Sequence, residues 1–90
     1  MKITEAFQLL KKHGHVLDQY AFDKVWLGME RGYFAYLKST NSQPSVETLM
    51  RFHFRLMSRD KAYKQYDLDT GVLSGIANSV MDEVERRCLL

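Results

Sequence analysis

Apolar side chains recur along this chain every three to four residues and nowhere settle into alternation, and that periodicity constrains the fold more than any other feature. Ile3, Ala6, Phe7 and Leu10 form one helical stripe, with Glu5, Gln8, Lys11 and Lys12 facing away. Phe22, Val25 and Trp26 form a second, and Phe34 and Leu37 a third. Val46, Leu49, Met50, His53, Leu56 and Met57, widened by Phe52 and Phe54, form a fourth that is expected to run through the core. Leu73, Ile76, Ala77, Val80 and Val84 form a fifth. Pro44 is the only proline, so little interrupts these helices. No run has period two, so no sheet is expected. The fold class is all-α: one domain, 1–90, a compact bundle of five or six helices.

Local signals place the helix ends. Thr4 is positioned to cap the first helix, and Gly14 to end it in a left-handed turn. Lys11, Lys12 and His13 sit at the negative end of its dipole. Asp18 caps the second helix, and Gly28 breaks the pattern after Leu27. A third helix is expected over 31–39, with Met29 plugging the turn before it. A polar loop, 40–44, leads to Ser45, which caps the fourth helix, with Glu47 in its first turn. Residues 58–66 either prolong that helix or restart at Ser58, with Tyr63 and Tyr66 as anchors. A break at 67–71 follows, and Thr70 caps a C-terminal helix of about 71–88.

Composition narrows the function classes. An apolar fraction of 46% and five Phe, five Tyr and one Trp argue against intrinsic disorder. No apolar run approaches the ~18–20 residues that span a bilayer, and the first residues lack the apolar core of a signal peptide, so no membrane role is expected. The lone Cys88 cannot form an internal disulfide, which fits a cytoplasmic location. A net charge of +2 permits nucleic-acid binding without demanding it.

The segment from Tyr20 to Leu56 carries a more specific pattern. Leu27-Gly28-Met29 is followed five residues later by Phe34 and three later by Leu37, and then by Pro44-Ser45-Val46-Glu47-Thr48-Leu49. In this order and spacing the segment resembles the helix-turn-helix of lambda-repressor-like proteins, the Cro and repressor group. The resemblance places a helix-turn-helix core at about 18–57. It implies sequence-specific binding of double-stranded DNA by a small transcriptional regulator of bacterial or phage type. The helix over 31–39 would enter the major groove. Its outward residues would be Glu30, Arg31, Gly32, Ala35, Tyr36 and Ser39, with Arg31 and Tyr36 touching bases. Lys24, Lys38, Asn41 and Gln43 would reach phosphates. Two positions depart from the family pattern. Lys24 stands where a small residue is usual, and Asp23 where leucine is frequent; Lys24 can snorkel its head to solvent, but the helix crossing must be adjusted or the register shifted by one.

A second reading keeps the fold but replaces DNA with a protein partner. Glu30 would repel phosphates, and Tyr33, Tyr36, Tyr63 and Tyr66 suit a protein interface. Such a module would act as an adaptor or inhibitor. No enzyme and no cofactor are expected. His13, His15 and Asp18 match no strong metal-ligand spacing, His53 lies on an apolar stripe, and Cys88 has no base nearby. Asp67-x-Asp69-x-Gly71 has its glycine one residue early for a calcium loop. The seam of the last helix, from Val72 to Leu89, either closes the core against the first helix or supplies a homodimer interface.

Overall fold

Periodicity of three to four becomes helix wherever the structure describes the chain, which is residues 1–66 and 71–89 of a computed structural model. The elements are α1 (Ile3–Lys12), α2 (Gln19–Ala21) running into a π-helical turn (Phe22–Trp26), α3 (Tyr33–Thr40), α4 (Val46–Lys64) and α5 (Gly71–Leu89). No strand occurs among the described residues, and the fold is an all-α bundle. None of the described helices is long and apolar enough to cross a membrane. The expected break with its Thr70 cap, and Asp67 and Asp69, lie outside the described residues; Gly71 opens α5.

The core is built on aromatic rings. Phe22 meets Phe34 and Phe52 edge-on, with centroids 5.2 and 5.6 Å apart, and Phe7 lies 5.2 Å from Phe22. Trp26 meets Phe52 edge-on at 6.2 Å. Rings prefer such tilted contacts, and burying each phenylalanine contributes about 1.5–3 kcal/mol. α4 and α5 have the most extensive packing and close over this cluster. They run antiparallel: the His53 ring meets the Ala77 carbonyl at 3.0 Å, while Arg87 donates to the Pro44 carbonyl just before α4. The expected seam of α5 is buried at Leu73, Ile76, Ala77, Val80 and Val84, against α4 and α1, and Leu89 is exposed.

Several ends fall where local signals put them. Gly14 has φ +77, the Asp18 carboxylate accepts from Ala21 N, and Ser45 accepts from Thr48 N. Residues 58–64 prolong α4 rather than restart. Other expectations are corrected. α1 starts at Ile3, so Thr4 sits inside its first turn, and the Ile3 amide is capped instead by Gln43 Oε1 at 3.0 Å. Val25 is exposed, because the π-helical turn buries Phe22, Asp23 and Trp26 instead, and Phe54 and Met57 are exposed, because the buried stripe of α4 runs through Leu49, Phe52, Leu56 and Asp60. Tyr66 is exposed rather than an anchor.

His15 lies where α1 hands over to α2. Its carbonyl accepts from the Trp26 indole at 3.2 Å, and its ring lies 5.6 Å from Tyr63. Burial holds its imidazole below the ordinary value of 6.5, reinforced by the charges of His13 and Arg59. The unfolded chain therefore takes up the proton first, and stability is lost as pH falls below 6.5. His15→Gln is expected to flatten part of the fall in Tm between about pH 7 and pH 5, read by thermal melts of both proteins. Equal slopes for the two would refute this assignment.

Candidate nucleic-acid interface

The turn around Gly28 is held by side chains that arrive from far along the chain. The π-helical turn closes with Leu27 N donating to the Phe22 carbonyl at 3.0 Å. That spacing accommodates one residue more than an α-helix would. Within this turn Asp23 points inward and Lys24 stays exposed. A helix C-terminus leaves carbonyls unpaired at its negative end. Here Arg55 Nη1 donates to the carbonyls of Lys24 and Val25 at 3.0 and 2.8 Å, and Arg51 Nη1 to that of Leu27 at 3.1 Å. Gly28 follows with φ +66, pressed against both arginines.

Asp23 connects this turn to α3. The residue is only 2% exposed. It accepts from Gly32 N at 3.0 Å and from Phe34 N at 2.8 Å, satisfying amides that the start of a helix leaves open. The expected helix over 31–39 is corrected accordingly. With Asp23 as its cap, α3 begins at Tyr33, and Arg31 and Gly32 belong to the turn, Gly32 with φ +95.

The outer side of α3 is bare. Phe34 and Leu37 are buried, while Ala35, Tyr36, Lys38 and Ser39 are exposed, Tyr36 to 60%. An open groove of about 800 Å³ runs beside it, lined by Lys24, Glu30, Arg31, Tyr33, Tyr36 and Arg55 among others. A second depression of about 560 Å³, lined in part by Lys11, Gln19, Tyr20 and Ala35, shares Arg31 with the first. Arg31 therefore stands on the ridge between them, its guanidinium 5.5 Å from the centre of the Tyr20 ring.

The sequence-predicted residues divide into two groups. Lys24, Arg31 and Tyr36 share the first groove, and Gly32 and Ala35 border the second. The others are more committed. Lys38 Nζ lies 5.1 Å over the Phe34 ring, and Ser39 Oγ donates back to the Tyr36 carbonyl at 3.0 Å. Asn41 ends α3 in the left-handed region at φ 52. Gln43 spends its carbonyl oxygen on Ile3 N, leaving only its amide donors. Among the described residues Lys11, Lys24, Arg31 and Lys38 form no ion pair.

Arg51, Arg55 and the groove-lining Lys11 and Tyr20 did not stand out in the sequence. The one signal for the two arginines is their spacing of four on a single helix face. Neither a curated protein nor a solved structure matches the chain. A family model matches residues 3–89, from the first turn of α1 to the last of α5, and the chain belongs to that family of unknown function (DUF6626).

Proposed function

We propose that this protein is a small cytoplasmic transcriptional regulator, of bacterial or phage type, that binds double-stranded DNA sequence-specifically. In this reading the elements on either side of Gly28 act as a helix-turn-helix of the lambda-repressor-like kind. The observation that carries it is the bare outer side of α3, bordered by Lys24, Arg31 and Lys38, which form no ion pairs among the described residues. α3 enters the major groove, with Ala35 and Tyr36 against base edges. Arg31 reaches down from the turn, where a guanidinium can bond a guanine at two points. Lys24, Lys38, Asn41 and the amide of Gln43 meet phosphates.

Selection from random duplex DNA is expected to enrich one sequence, and log affinity for it to fall with log salt at about −0.9 per phosphate neutralised. Arg31→Ala is expected to cost about 1–3 kcal/mol and relax preference at one base pair. Flat salt dependence, or an unaltered Arg31→Ala protein, would end this reading. A second reading, docking of a protein partner, is favoured by exposed Tyr36 in the same groove as Glu30, by exposed Tyr20, and by the Asp23 cap, which occupies amides that could otherwise hold an anion. Failure to enrich any duplex would favour it.

A further inference from the structure

The side of α4 that faces away from the core is apolar where a solvated helix would be charged. Phe54 is 62% exposed and Met57 43% exposed, and half-buried Met50 stands beside them at helical spacing. Arg51 and Arg55, the flanking cations, are turned inward onto the carbonyls of Leu27, Lys24 and Val25. In line with the stripe stand Glu47, one heptad before Phe54, and Lys61, one heptad after it; Lys64, one heptad after Met57, is tied to Asp60 at 3.0 Å. The Glu47 side chain is 85% exposed even though it lies 3.5 Å from Arg51, and Lys61 is exposed with no ion pair among the described residues.

We propose that this stripe is a homodimer interface in which α4 packs antiparallel on α4 of a second copy. A two-fold axis through Phe54 sets each Glu47 opposite the other copy's Lys61, and each Met50 opposite the Met57–Ser58 turn. An isologous contact must complement itself, and this arrangement of charges does so only in the antiparallel sense. Parallel pairing would set Glu47 against Glu47 and Lys61 against Lys61. α5 offers less for this role, because its seam from Leu73 to Val84 is already buried in the core. α4 is about 28 Å long, and its stripe is narrow beside the ~800 Å² per partner of a standard interface. The dimer is therefore one that dissociates on dilution. The proposal does not rest on DNA binding, and its readout is mass.

In sedimentation equilibrium the mass is expected to rise with concentration from 10.6 kDa toward twice that value. Phe54→Glu, at an exposed position, is expected to hold the protein at 10.6 kDa with an unchanged helical spectrum. Glu47→Lys and Lys61→Glu are each expected to weaken association, and the double reversal to restore it. With the exposed Cys88 replaced by serine, Phe54→Cys is expected to cross-link two copies under mild oxidation, since a residue on the axis faces its own counterpart. A single-chain mass at every concentration, or a double reversal no better than either single one, would overturn the proposal.

Discussion

Gly28→Ala is expected to destabilise the protein by about 3 kcal/mol, a large share of the ~5–15 kcal/mol that holds a domain of this size together. Two costs add. A side chain at φ +66 occupies the left-handed region, at about 1–2 kcal/mol. Its Cβ would also lie 2.6 Å from Arg51 Cδ and 2.9 Å from the Arg55 guanidinium. The arginines can move aside, but then they release the carbonyls of Lys24, Val25 and Leu27. A hydrogen bond from a charged group contributes about 1.5–3 kcal/mol, toward the lower end where solvent reaches it, as at Arg55. The expected drop in Tm is on the order of 15 °C. Gly14→Ala serves as the control: it has a similar φ of +77 but open space around it, so only the conformational cost applies. Equal losses at the two glycines would show that the arginine contacts contribute nothing.

Asp23→Ala is expected to cost about 2–4 kcal/mol, through a different mechanism. It removes an acceptor from two amides, and the bond to the Phe34 amide is buried. The second bond lost, to Gly32 N, adds about 1 kcal/mol. The damage should be local before it is global. Hydrogen exchange at the Phe34 amide is expected to accelerate far more than exchange in α5, because α3 depends on this cap and α5 does not. Asp23→Asn keeps one acceptor oxygen and is expected to recover about half of the loss. If Asp23→Ala unfolds in urea within about 0.5 kcal/mol of the parent, the carboxylate is not what orders α3.

The features legible in the sequence are those that neighbouring residues decide among themselves. Gly14, Asp18, Gly28 and Ser45 each act within a few residues, and each is found in its expected role. The fivefold helical order follows likewise from the spacing of Ile3 to Leu10 and of Leu73 to Val84. What escaped the reading depends on residues that meet only after the chain has folded. Gln43 displaces Thr4 as the cap of α1 from 40 residues away. Arg55 reaches back 31 residues to the Lys24 carbonyl. Asp23 is bonded to the amides of Gly32 and Phe34, nine and eleven residues on, which no local pattern announces. α4 misled for another reason. It is apolar on two sides, so the spacing that identifies a buried stripe fits Met50, Phe54 and Met57 as well as Leu49, Phe52 and Leu56. At the candidate site, the residues expected to face outward, Arg31, Gly32, Ala35, Tyr36 and Ser39, are exposed. The late start of α3 was hidden, because no rule of spacing says that Gly32 will take φ +95.

The two guanidinium straps also bear on how portable this turn is. Its shape is borrowed from a helix synthesised later, so the stretch from Asp18 to Asn41, copied out as a peptide, carries the right letters without the clamp that gives them form. Grafting it onto another scaffold would require transplanting Arg51 and Arg55 at their own spacing and angle of approach. The smallest unit that can present this surface is the docked assembly of helices, and not the segment that bears its residues.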